Sequence, residues 1–371
     1  MNISDGLLFA KFSAKRAVFF RLFLCVALLM RSISVFAFET DQYNLPPQPL
    51  ADIGDEVTQY VEENLRKAID KVNADIYERQ FCLSNNQNKP KGTKCDSAKK
   101  ERAKLHFLRS EAAVAREVYN QLGTGNIAFT KSGTWMESHV FRAQPATYKT
   151  DYKNSIFFVI PTNYFTISKT VNVYGAQFGT DKIAHFFQQG YAYYKKYNDS
   201  LGKGLTPVEA ATKAIRWGQM TERTYYGTLV SGVYSNADLC ANYVGMKFYQ
   251  GLTRSIKIGN FTKPPVFILE NGIWKFNESA ETSENLIKPF VSDHFNEALN
   301  PSIFNIGLRS YVRRTVKKRS CEKWLKLYPN LSRADFIAKS NSLKNWYGED
   351  YGFTDSKKFV TIADTCFDEK N

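Results

Sequence analysis

Between Gly179 and Gly245 the chain concentrates side chains that could exchange protons or hold a charged ligand. Asp181-Lys182-x-x-His185-Phe186 opens one helical pattern, Glu222 ends the next, and Asp238-Leu239-x-Ala241-Asn242-x-x-Gly245 occupies a third. Asp181 and His185 are four residues apart, as are Asp238 and Asn242. Each pair therefore shares one face of its helix and can reach a common partner. Carboxylates around an imidazole are the material of general acid–base catalysis. The same residues also suit a ligand-binding site or a structural polar network. One histidine with two or three carboxylates is an acceptable metal set, but no HExxH element and no paired His/Cys spacing accompanies it, so no metal site is expected. Asp181, after Thr180, and Asp238, third after Ser235, also stand at helix starts, where the macrodipole favours an acid for purely structural reasons.

Other candidates are weaker. Glu137-Ser138-His139 places an acid beside an imidazole in a segment that reads as irregular. Glu111 and Glu117 could be paired carboxylates of the glycosidase kind, but two acids on one solvated helix are better explained as ion-pair partners. Cys240, in an apolar helical pattern, reads as a buried free thiol. No GxSxG element, P-loop or Gly-rich dinucleotide turn is present, which disfavours covalent and nucleotide-dependent enzymes and leaves no cofactor implied.

The order DKIAHF, then Glu222 in QMTERTYYG, then DLCANYVG resembles that of VanZ-like envelope proteins and small YfiM-type lipoproteins, over some 65 of the 371 residues. The resemblance implies a helical core and a role at the cell envelope. In this chain the helices carry Lys, Gln and Tyr where membrane-embedded relatives are apolar.

The elements that must position these residues are mainly helical. Val57, Val61, Leu65, Ile69, Val72 and Ile76 recur every three or four residues and predict a helix over 55–81. A second run over 97–122 stops at Gly123, and the two make an N-terminal αα-hairpin. Cys82 and Cys95 bracket its polar loop, and closing a loop of that size adds roughly 3 kcal/mol. Residues 124–179 mix Gly, Pro and Thr with aromatic and β-branched residues and predict short strands and loops. Helices follow over 181–197, 207–226 and 236–252. Thr206-Pro207-Val208-Glu209 forms a capping box, and Ser235 to Asp238 repeats the signal. Asn271-Gly272 between two apolar runs marks a β-hairpin. Further helices are expected over 283–299 and 306–327, then a short helix and a tail tied back through Cys366 to Cys321. The fold class is a mainly α, multi-helix bundle with small β-hairpin insertions. Its organisation reads as a leader (1–37), an extended arm (38–54), a helical hairpin (55–122), a main helical domain (123–330) and a packed-back tail (331–371).

The leader argues for export. Lys11, Lys15 and Arg16 precede an apolar stretch to Met30, and Val35-Phe36-Ala37 suits a signal peptidase. An uncleaved anchor is the alternative, and Cys25 lacks the small residue that lipoprotein acylation requires before it. Of the whole-chain charge of +14, the leader holds five basic residues and one acid, leaving 45 against 35, or +10. Such a balance favours anionic partners; in an exported protein these are lipid or glycan of the envelope, not nucleic acid. No segment after the leader is apolar enough for a transmembrane span. Two cysteine pairs fit an oxidising compartment, periplasmic or secreted. The helix over 306–327 sets Leu308, Val312, Val316 and Leu327 on one side and Arg313, Arg314, Lys317 and Lys318 opposite, a docked helix with a basic outer face that could contact an anionic surface. The expectation is an exported, envelope-associated binding or maintenance protein whose polar cluster around His185 forms a pocket between helices for an unknown ligand. The alternatives are a hydrolase of an envelope polymer and a non-catalytic scaffold.

Overall fold

Six apolar residues at helical spacing are enough to drive the first long element, α1 (Gly54–Leu83), whose Val57, Val61, Leu65, Ile69, Val72 and Ile76 are all buried. The computed structural model describes residues 39–84, 95–125, 130–159, 167–224, 226–280 and 286–367. The leader over 1–37 and most of the loop bracketed by Cys82 and Cys95 lie outside these. The partner of α1 is not one helix but two, α2 (Ala98–Leu108) and α3 (Glu111–Leu122). The break falls at Arg109-Ser110, where Ser110 adopts an extended backbone and its hydroxyl turns back to the Phe107 carbonyl. Cys82 and Cys95 are joined, with an S–S distance of 2.06 Å.

The middle of the chain opens with α4 (Lys131–Ser138), capped by the Thr130 side chain where loop was expected. Strands β1 (Thr147–Tyr148), β2 (Thr170–Val173) and β3 (Ala176–Gly179) then form an antiparallel sheet, with Val171 opposite both Thr147 and Phe178. Directly after β3 comes α5, which is α-helical over Asp181–Ala184, π-helical over His185–Gln189 and α-helical again over Gly190–Leu201. Then follow α6 (Pro207–Arg223), with the Thr206/Glu209 capping box formed, β4 (Val233–Tyr234) and α7 (Asn236–Gln250), capped by Ser235. Two hairpins come next: β5 (Ile256–Ile258) with β6 (Phe261–Lys263), and β7 (Phe267–Glu270) with β8 (Ile273–Phe276). In the second, Asn271 and Gly272 have φ of 52° and 78°, the paired positive angles that a type I′ turn demands.

From Ile287 onward the stretch expected to be helical over 283–299 holds no α-helix. The chain makes single 3-10 turns at Lys288–Phe290 and Asp293–Phe295. Pro289 has no N–H for a helical ladder, and the Asn296 side chain takes the backbone N–H groups of Ala298 and Leu299 for itself. Strand β9 (Ile303–Phe304) pairs with β4. The long helix expected over 306–327 is divided into α8 (Ile306–Arg319) and α9 (Cys321–Leu327), and the break at Ser320 changes the helical phase. Leu308, Val312 and Val316 are buried as expected, whereas Leu327 is 48% exposed. Helix α10 (Arg333–Ser342) and α11 (Ile362–Cys366) close the chain, and Cys321 is bonded to Cys366.

Two apolar cores result. The larger joins α1, α3, α5, α7 and the hairpins; the smaller joins Tyr43 and Leu45 of the arm to α8–α11. Among the described residues no helix is long and apolar enough to cross a membrane.

Candidate functional site

The arm, β3, α5, α6, α7 and the turns after Asp293 meet at Lys182. Its side chain is fully buried, and its ammonium lies 2.5 Å from Asp181 Oδ2, 2.6 Å from Asp238 Oδ1 and 2.6 Å from Glu297 Oε1. Thr40 of the arm donates to the other oxygen of Asp181 at 2.6 Å. His185, one turn along α5, faces an oxygen with each ring nitrogen: Nδ1 is 3.0 Å from Asn242 Oδ1 and Nε2 is 3.4 Å from Asp238 Oδ2. Glu222 stands one step further out and accepts from the Ser235 backbone N–H at 3.0 Å. Ser235 in turn donates its hydroxyl to Glu297 at 2.7 Å, and Ser302 donates to the second oxygen of Glu297 at 2.5 Å.

The backbone is shaped to bring these groups together. A Cβ on Gly245 would lie 2.0 Å from the Phe186 carbonyl oxygen, and one on Gly190 would lie 2.6 Å from the Gly245 Cα. Only glycines let α5 and α7 approach so closely, which gives the last position of DLCANYVG a packing role. The π-helical stretch that begins at His185 sits at this crossing, and such bulges recur where a helix re-aims side chains toward a site. Asp238 has a double position. Its N–H is bonded by the Ser235 cap at 2.9 Å, while its carboxylate turns inward to Lys182 and His185.

Asp181, Lys182, His185, Glu222, Asp238 and Asn242 are thus brought to one place, and none is more than 5% exposed. Sequence reasoning missed the remaining members. Glu39 is buried and carries a hydrogen bond from Ser231; Glu297 completes the clamp on Lys182; Gln42 accepts from the Glu297 N–H at 2.5 Å. Neither glutamate belongs to a motif. Glu39 lies in an arm without periodicity, and Glu297 in a stretch whose pattern predicted a helix.

Five carboxyls therefore surround one lysine and one imidazole, and their surroundings set them apart. Burial, reinforced by Asp238, pushes Glu39 and Glu222 well above the usual carboxylate range. Burial also raises Glu297, although Lys182 pulls the other way. Asp238 experiences the same burial, yet His185 and Lys182 hold it below its ordinary value. Burial would lower Lys182, but its three carboxylate partners and Glu39 hold it well above the usual range. The centre accordingly holds carboxyls whose proton affinities are pushed in opposite directions side by side. Asp181, His185 and Asp238 also bring one ligand atom each within 4.8 Å of the others, a spacing a metal ion could bridge. Lys182 contacts both of these aspartates, so the cation they face is the chain's own.

The weaker candidates lie elsewhere and have other partners. Glu137, at the end of α4, receives the Thr180 hydroxyl and the Lys169 N–H, while His139 faces Glu56 at 3.4 Å. Glu111 pairs with Arg254, and Glu117 takes the side-chain amides of Asn120 and Gln121. Cys240 is a buried free thiol that burial pushes up, which makes it a poor nucleophile. On α8, Arg313, Arg314, Lys317 and Lys318 are exposed, and Arg313 also reaches the Asp364 carbonyl. Compared with known protein families, curated proteins and solved structures, the chain matches none.

Proposed function

We propose that this chain is an exported, envelope-associated binding or maintenance protein that docks on anionic lipid or glycan through its basic helices, with the centre around Lys182 fixing its frame. The observation that carries this reading is the closure of the centre. All nine side chains named above as its members are at most 5% exposed, and the one ammonium among them is already clamped by three carboxylates. A polymer strand has no route to such groups without large opening, whereas a centre tying the arm, three helices and the 297–302 turn together holds a binding surface rigid. The motif resemblance to VanZ-like and YfiM-type proteins and the basic balance of the chain support an envelope setting.

One observation favours a hydrolase as the second reading: burial and Asp238 push Glu222 well above the usual carboxylate range while His185 and Lys182 hold Asp238 below its own, the opposed shifts that an acid and a base in one centre need. His185→Ala and Glu222→Ala separate the two. Under the binding reading both variants lose thermal stability, by roughly 1–3 kcal/mol for each buried partner left unsatisfied, and no turnover of peptidoglycan or anionic polysaccharide is seen even in the wild type. Variants that keep their melting temperature but abolish a measurable wild-type turnover establish the hydrolase and overturn the binding reading.

A further inference from the structure

A groove of about 510 Å³ opens where the arm leaves the smaller core and passes α9. Its lining is chemically divided. Leu45, Pro46, Pro49 and Leu327 supply apolar surface, and Lys323 and Lys326 supply two ammonium groups. Prolines carry no N–H, so a wall of them can be covered by an apolar chain without stranding backbone donors. Both lysines are exposed, and neither has a carboxylate partner among the described residues. Leu327 keeps 48% of its surface exposed beside them, an apolar side chain with no cover of its own. Glu322 precedes Lys323 on α9 but is not part of the lining.

The segments that carry the two walls are tied to the core behind them. Trp324 of α9 donates its indole N–H to the Tyr43 carbonyl at 2.9 Å, and the Tyr43 hydroxyl reaches the Val360 carbonyl at 2.6 Å. Cys321 at the start of α9 is fastened to Cys366. A site whose walls are fixed before binding loses little freedom on occupation. Its volume falls within the range of small-molecule sites, roughly 300–1,000 Å³.

We propose that this groove binds one anionic phospholipid, with the phosphate against Lys323 and Lys326 and the upper part of an acyl chain along the proline wall and Leu327. Charge complementarity selects an anion, and the apolar side of the groove selects an amphiphile over a free phosphate or an acidic glycan. The neighbouring basic face on α8 would hold the surrounding membrane surface while the groove takes a single lipid. The inference rests on the envelope-docking reading above and goes beyond it by naming the ligand and its place.

The test uses the full chain and two probes: vesicles of phosphatidylcholine with or without phosphatidylglycerol, and dihexanoylphosphatidylglycerol below its micellar concentration. The wild type is expected to bind the soluble lipid and to sediment with the phosphatidylglycerol vesicles only. Lys323→Ala with Lys326→Ala should weaken binding of the soluble lipid by roughly 30-fold, since each lysine near an anionic headgroup contributes on the order of a fivefold gain. Leu327→Gln, on an exposed position, should weaken the same probe without altering the melting temperature. Equal binding of glycerophosphate overturns the proposal, because the groove would then read the anion alone. If the soluble lipid binds the double variant as it binds the wild type, the groove is not the site. Soluble-lipid binding that the Lys323/Lys326 variant retains, with vesicle binding lost only in Lys317→Ala with Lys318→Ala, leaves docking intact and removes the groove. Failure of the wild type to bind any anionic vesicle overturns docking as well.

Discussion

Lys182 and Lys263 are both shut away from solvent, and the fold treats their charges in opposite ways. Lys182 has three carboxylate oxygens within 2.6 Å and is held well above its usual range by them. Among the described residues, Lys263 on β6 has only the Pro264 carbonyl at 3.2 Å and the Phe290 ring at 6.0 Å, and burial pulls it down to about 8. A buried ammonium needs either a counter-charge or a proton acceptor. The first lysine is locked into a network that draws on six segments of the chain. The second can surrender its proton and has no such clamp among the described residues. A buried charge is thus an organising element only where the chain has gathered partners for it.

The largest effect is expected where that difference is erased. Lys182→Met leaves Asp181, Asp238 and Glu297 without their cation and should cost about 3–5 kcal/mol, as for other buried ion pairs stripped of one partner. Urea unfolding should show a lost or much earlier transition; an unshifted midpoint would mean that the clamp contributes nothing. Next in size, Asp238→Asn removes the carboxylate that His185 and Lys182 hold ionised. Because Lys182 keeps two partners, the expected loss is about 2–3 kcal/mol, readable in the same experiment.

The corresponding change at the other lysine should go the opposite way. Lys263→Met removes an uncompensated charge at nearly constant volume and should stabilise the protein near neutral pH by about 1–3 kcal/mol. Its pH dependence has a definite sign. The native value of about 8 lies below the ordinary 10.5, so the wild type loses stability as pH falls from 10.5 through about 8. The variant's advantage should grow over that interval and level off below it, as measured by unfolding at a series of pH values. The smallest effect is expected for Glu222→Gln. Glu222 is raised, so its contribution is fully present below its ordinary 4.5 and is lost as pH rises through the native value. An amide imitates the protonated acid, so the cost near neutral pH should stay within about 1 kcal/mol. The variant's stability should also fall less than the wild type's toward alkaline pH. A penalty as large as that of Asp238→Asn would show that Glu222 is ionised after all.

How much of this could be read beforehand depended on whether a residue sat inside a periodic pattern. The cysteine connectivity is fixed only by the fold, Cys321 and Cys366 standing 45 positions apart, whereas helix α1, the caps at Thr206 and Ser235 and the turn at Asn271-Gly272 carry local signals strong enough to stand without tertiary help. The helices carrying Asp181, His185, Glu222, Asp238 and Asn242 did too, so part of the centre was in view. Ser320 and Ser110 broke two expected helices because periodicity continues past a single serine, while the decision to break is made by packing. Ser320 illustrates the point: its hydroxyl reaches Asn44 of the arm at 3.4 Å, a partner 276 positions away. Glu39 and Glu297 were illegible for the same reason, since their role comes from the neighbours that folding supplies.

The arm that holds Glu39 has a consequence for the order of assembly. Its bonds connect Thr40 to Asp181, Gln42 to Glu297 and Tyr43 to Val360, the last across 317 positions. Each such closure must wait for the distant segment, and contacts of this separation are entropically slow to form. The first described residues are therefore among the last to be secured, and the centre cannot lock while the C-terminal third is missing. For the exported protein proposed above, the arm can fasten the centre only after the segments that carry Glu297 and Val360 have arrived.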